Sequence, residues 1–165
     1  MFNINEYVMY GVTGVCKVLD IKEEKDRNNS LTEYYILSPI YSKNTIIKTP
    51  VDNMKISMRK IHSLDEVNSF ISSISGEETL WIDDERKRNE TFKTMLKSGE
   101  CSELIKLIKS IYENRKLKKS LGKKPYKGDE EIMKMAERLI NEEFATILNI
   151  EPDEVNSYIE KNMVH

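Results

Sequence analysis

The feature that most constrains this chain is a change of hydrophobic period near residue 61. Before it, apolar residues come in short β-rich runs broken by turn formers; after it, they recur at spacings of three and four. Tyr7-Val8-Met9-Tyr10 is a run of β-formers closed by Gly11 and Thr13-Gly14. Residues 15–21 resume as a strand, with the apolar register open between 16 and 18 on one hand and 15, 19 and 21 on the other. Residues 22–30 hold no apolar side chain and read as a hairpin tip or exposed loop. Glu33-Tyr34-Tyr35-Ile36-Leu37 and Thr45-Ile46-Ile47-Lys48-Thr49 are the next strands. Pro50 ends the ladder, and residues 51–54 turn into a last short strand. Five short strands in so few residues predict a small, closed or partly open barrel of Tudor-like or SH3-like size.

Past the break the signals are helical. Ser63 and Glu66 have the spacing of a capping box, ahead of Leu64, Val67, Phe70, Ile71 and Ile74 on one face. A second helix is predicted over 83–97, buried through Phe92, Met95 and Leu96 and stopped at Ser98-Gly99. A third, over 101–118, buries Leu104, Leu107, Ile108 and Ile111. A fourth, from 129 to 148, buries Ile132, Met135, Ala136, Leu139, Ile140 and Phe144, and Pro152 opens a short last helix. The fold class is therefore α+β in two domains. A small β-barrel over residues 1–60 is followed by a compact bundle of about five helices over 61–165.

Chemistry has little to work with here. His62 is the one histidine away from the terminus, and the adjacent Ser63 is accounted for as a helix cap. No glycine-rich phosphate loop, HExxH or GxSxG is present, so no enzymatic activity and no cofactor are expected. Asp83, Asp84 and Glu85 are read as first-turn carboxylates complementing the helix dipole, not as a magnesium site, because neighbours on a helix point apart. Cys16 and Cys101 belong to no paired motif, so neither zinc nor a disulfide framework is indicated. With no leader-like segment and no long apolar run, a soluble cytoplasmic protein with no membrane role is expected.

Two clusters point to nucleic acid. Trp81, the only tryptophan, stands just before a helix and is followed by Arg86-Lys87-Arg88, with Lys93 further along. From 115 to 127 there are seven basic residues, Lys123 and Lys124 among them, and no acid, in a chain whose net charge is −2. A flat ring beside cations suits an opened base step flanked by phosphates. The ordinary alternatives are a ring that plugs a joint and a solvated helix end.

Taken in order, these stretches resemble the CarD (CdnL) family of bacterial RNA polymerase-binding transcription regulators. The resemblance rests on Tyr7-Val8-Met9-Tyr10 with Gly14-Val15, on Glu33 through Leu37, and on Ile46-Ile47-Lys48-Thr49-Pro50-Val51-Asp52-Asn53. It continues through Trp81, Arg88, Leu96-Lys97-Ser98-Gly99-Glu100, and Ala136 through Leu139 to Glu143-Phe144-Ala145. It implies a Tudor-like domain that docks on the polymerase β subunit, in the β1 lobe, through Lys48; the charged 22–30 loop carries no residue over from the family, and Lys25 and Arg27 are its candidate contacts. It also implies a helical domain on promoter DNA at the upstream edge of the bubble, where Trp81 wedges into the minor groove and stabilises the open complex. Arg86, Lys87, Arg88 and Lys93 would neighbour phosphates, joined by Lys123 and Lys124 from the basic run. The same N-terminal module occurs in transcription-repair coupling factors, large helicases whose motor motifs this chain lacks. The implied protein is nucleoid-associated, with little sequence preference, and monomeric unless an exposed barrel strand swaps. The competing reading is a protein-interaction adaptor whose barrel takes an extended peptide and which has no DNA role.

Overall fold

The computed structural model describes residues 1–164. They form two compact units, Met1–Ile61 and a helical unit from His62 onward.

The first unit is a five-stranded sheet, antiparallel throughout, in the order β4-β3-β2-β1-β5. Its strands are β1 (Tyr7–Tyr10), β2 (Gly14–Lys25), β3 (Leu31–Pro39), β4 (Ile47–Pro50) and β5 (Met58–Lys60). β1 and β2 are joined by a single 3₁₀ turn, Gly11–Thr13. Gly11 has φ +48°, and a Cβ there would lie 2.7 Å from Ile56 Cγ2, so only glycine fits. A register shift between Val18 and Asp20 bends β2, which lets so small a sheet curl over its own core. That core is Val8, Tyr10, Cys16, Val18, Tyr35 and Leu37, with Phe2, Ile21, Ile47, Val51 and Met58 packed against it. The 16-and-18 register of β2 is thus the one that faces inward. β4 and β5 are the two edges of the sheet, so the barrel is partly open.

Two sequence expectations are refined in this unit: the hairpin tip is shorter than 22–30, and β4 starts later than residue 45. Of the charged segment 22–30, residues 22–25 are strand and 26–30 form the tip: β2 and β3 run on as an exposed hairpin arm, pairing Lys22 with Tyr34 and Lys25 with Leu31. Backbone ladders need no apolar side chains, and the turn closes itself. Asp26 Oδ1 accepts from the N–H groups of Asn28 and Ser30, each at 2.8 Å, and Asn29 supplies the left-handed residue at φ +64°. At the other edge β4 begins only at Ile47, leaving Ile46 62% exposed.

The second unit consists of α1 (Leu64–Ser73), α2 (Glu85–Ser98), α3 (Cys101–Ser120), α4 (Lys127–Leu148) and α5 (Val155–Asn162). The order of a small sheet followed by five helices is the order the sequence predicts. The capping box forms: Glu66 N–H donates to Ser63 Oγ at 3.2 Å, and Ser63 N–H to Glu66 Oε2 at 2.7 Å. α2 is capped by Asp84, whose Oδ1 accepts from Lys87 N–H at 2.8 Å, and it ends on Gly99 at φ +69°. α3 lies along α4, α2 packs on both, and α1 and α5 cover the rest of α4. Val67, Ile71, Phe92, Leu104, Leu107, Ala136, Leu139 and Phe144 are fully buried between them. The α4 stripe runs through 133, 136, 140 and 144, which buries Met133 and leaves Met135 38% exposed, the reverse of the sequence expectation. Leu64 is also exposed, since a first-turn side chain leans back past the helix start.

His62 is fixed by the buried Glu143 of α4. Glu143 Oε1 accepts from His62 N–H at 3.1 Å and lies 2.8 Å from Nδ1, while the imidazole meets Phe70 edge-on at 4.9 Å. Among the described residues no helix is long and apolar enough to cross a membrane.

Candidate nucleic-acid interface

Trp81 lies in the irregular segment between α1 and α2, neither buried in the bundle nor free of it. Its ring meets Phe92 edge-on, centroids 6.3 Å apart, and carries the Arg88 guanidinium 4.4 Å from its centroid. The segment is tied to α3 through Leu80 N–H, which donates to Ser110 Oγ at 2.8 Å. Beside the ring opens a shallow recess of about 320 Å³, lined by Thr79, Trp81, Ser110, Glu113, Asn114 and Leu117. Trp81 therefore presents indole surface at the edge of α3, one turn before that helix becomes strongly basic.

Arg88 does not do what the sequence suggests. It is fully buried, whereas a phosphate contact needs an exposed head group. Helical phase explains this: Arg88, Phe92, Met95 and Leu96 share the inward stripe of α2, while Arg86 and Lys87 fall outside it. The charge is met inside. Arg88 Nε lies 3.2 Å from both Oδ1 and Oδ2 of Asp129, and Nη2 lies 3.0 Å from Oδ2, though misaligned for a hydrogen bond. Nη1 donates to the carbonyl of Ile82 at 2.8 Å, and more weakly to that of Asp83 at 3.4 Å. Tyr126 takes the guanidinium at 4.7 Å, and Lys118 Nζ sits 3.0 Å from the Tyr126 centroid. Trp81, Arg88, Tyr126 and Lys118 thus form one alternating ladder of rings and cations.

The other predicted cations are at the surface. Arg86 is exposed and pairs loosely with Glu90 at 3.4 Å. Lys87, Lys93, Lys123 and Lys124 are exposed. Lys123 and Lys124 lie in the linker between α3 and α4, and Tyr126 of the same linker joins the ladder, so this part of the basic run lies on the Trp81 side of the unit. The rest of the run is partly spoken for. Arg115 pairs with Glu130 at 3.0 Å, and both Arg115 and Lys116 lie over the Tyr112 ring. Glu113 is the acid among the residues that line the recess with Trp81. On α4, burial raises the carboxyl of Glu137 above its ordinary range, against the pull of Arg115.

The sequence reading missed Tyr126, Asp129 and Lys118. Tyr126, set within a basic run, was a usable signal. The pairing of Arg88 with Asp129, 41 positions apart, has no local signature.

In the first unit, Lys48 stands on β4 opposite Ile36, ion-paired with Glu24 and 4.3 Å over the Tyr34 ring. Lys25 ends β2 and Arg27 lies in the adjoining turn, both exposed at the tip of the hairpin arm. The geometry collects these cations on the β2–β3–β4 side of the sheet.

Residues 2–62 match the family model of the CarD-like/TRCF RID domain. The first unit is an RNA polymerase-interacting domain of the CarD-like type. The match covers the whole five-stranded sheet and stops where the helices begin, so it speaks for the RID domain and not for the helical unit. No curated protein matches the chain.

Proposed function

We propose that this protein is a non-enzymatic transcription regulator that joins RNA polymerase to promoter DNA. The RID domain holds the polymerase β subunit, in its β1 lobe. The helical unit rests on DNA at the upstream edge of the bubble, inside the cytoplasm and on the nucleoid. There the Trp81 ring covers a base step as it opens, and Lys87, Lys93, Lys123 and Lys124, with Arg86, neighbour the phosphates. Arg88 is left out of that set.

One observation carries the reading. A part-exposed indole is backed by a buried arginine at the basic edge of a helical unit, on a chain whose other unit is an RID domain. An indole has a broad apolar face to lay on an unstacked pair. Unstacking costs a few kcal/mol per step, so a ring that occupies the gap slows reclosure. The minor groove offers only a degenerate pattern, which leaves sequence preference slight.

Trp81→Ala tests it. The variant keeps the RID domain and binds polymerase as the parent does, while the open complex it supports decays faster. Equal open-complex lifetimes for parent and variant, at saturating protein, would falsify the wedge.

A further inference from the structure

We propose that Arg88 and Asp129 are positioning residues for Trp81: a buried ion pair whose guanidinium plane sets the direction of the indole ring. The inference rests on the reading of Trp81 above for its functional consequence, though not for its structural content.

Little else fixes the ring. Its segment is irregular, and Trp81 makes no hydrogen bond to another described residue. The tie from Leu80 to Ser110 holds the backbone but does not orient the side chain. Phe92 touches an edge. The Arg88 guanidinium, by contrast, lies over the ring at 4.4 Å and is itself held from several sides. Asp129 of α4 takes Nε, the carbonyl of Ile82 takes Nη1, and Tyr126 takes the guanidinium on its own ring at 4.7 Å. The bond to Ile82 also closes a loop, because Ile82 is the residue after Trp81. The clamp therefore grips both the backbone beside the tryptophan and its ring.

Stability alone does not account for the pair. Two charges taken fully out of water cost desolvation, and apolar residues of similar volume commonly stabilise such a site as well or better. What they cannot reproduce is a planar cation with five donors in fixed directions. The arrangement is what is needed where direction matters more than cohesion.

The position of the ring can be read directly, because Trp81 is the only tryptophan and all indole fluorescence comes from it. The experiment uses the full chain carrying Arg88→Met with Asp129→Leu, beside Arg88→Lys, Asp129→Asn and Trp81→Ala. Urea unfolding, acrylamide quenching, fluorescence anisotropy and open-complex lifetime with polymerase are measured for each. The double variant keeps an unfolding midpoint near that of the parent. Its Trp81 becomes more quenchable and less anisotropic, and the open complex it supports decays about fivefold to thirtyfold faster, the range between an exposed and a desolvated cation–π contact. Arg88→Lys keeps the charge without the fork and falls between the two. Parent-like quenching, anisotropy and lifetime in the double variant overturn the proposal, because the pair is then only a packing element. If the double variant does not fold, Asp129→Asn decides: a looser ring and a shorter lifetime support positioning, and parent values for both reject it. Should Trp81→Ala leave lifetimes unchanged, the promoter role fails, while quenching and anisotropy still settle whether Arg88 and Asp129 orient the ring.

Discussion

Replacing Lys123 and Lys124 together with glutamine should change the salt dependence of DNA binding by a calculable amount. Both side chains are exposed in the linker between α3 and α4, and neither has a carboxylate partner among the described residues. Lys87 and Lys93 on α2 are in the same condition, whereas Arg86 is partly neutralised by Glu90. Each phosphate neutralised adds about 0.9 to the slope of log K against log salt, so four such lysines give a slope of at least about −3.6. Between about 50 and 200 mM salt the parent then loses about 150-fold in affinity for a forked duplex, and the double variant only about 12-fold. Fluorescence anisotropy of a labelled fork, titrated with the full chain at several salt concentrations, measures both slopes. A double variant that binds more weakly at every salt concentration but keeps the parent slope refutes the reasoning. The loss would then come from a changed linker, not from released counterions.

Two further outcomes follow from the same geometry. Lys48→Ala in the full chain should weaken capture of a polymerase β-subunit fragment by about 1 kcal/mol or less, because Lys48 is a surface charge already shared with Glu24; an unchanged affinity removes Lys48 from the interface. Burial raises the carboxyls of Glu137 and Glu142, the latter against the pull of Arg138, so the folded state holds protons that the unfolded chain has released. Stability therefore falls as pH rises from the ordinary carboxylate value of 4.5 through the folded values. Glu137→Gln with Glu142→Gln should flatten that decline in urea unfolding, and a slope identical to the parent's would show that other groups cause it. Glu66 works in the opposite sense: the Ser63 backbone N–H lowers its pKa, so its contribution is present at neutrality and is lost as pH falls.

Much of the fold could be read from pattern, since the signals that mattered were local. The Ser63–Glu66 box, the stop at Ser98-Gly99 and the β-rich runs before residue 61 each act within a few residues, and all three appear as expected. The misses have separate causes. The hairpin arm beyond Lys22 is held by ladder bonds that side-chain polarity does not report, and its turn is decided by one Asp26 carboxylate. Met133 replaced Met135 because the α4 stripe has two adjacent lanes, and only its partners decide which is used. Arg88 was misplaced because a run of three cations hides helical phase. The third of them falls on the buried lane, where a carboxylate from another helix receives it.

That misplacement changes how the helical unit would work on DNA. With Arg88 turned inward, one cation fewer is available beside Trp81, and under the proposed function the free-DNA affinity would be correspondingly modest. Non-specific binders with more phosphate contacts reach dissociation constants of about 10⁻⁴ to 10⁻⁶ M, so this unit alone would sit at or above the weak end of that range. A second module tethered close to its site feels an effective concentration of order mM. Under the proposed function, a DNA site with a dissociation constant near 10⁻⁴ M would then be mostly occupied while the RID domain is on polymerase, and mostly empty on DNA elsewhere. Adding phosphate contacts would erase that difference by holding the chain on any duplex. In this reading, economy in surface cations and a rigidly backed ring belong together: the RID domain determines where the protein sits, and Trp81 acts only there.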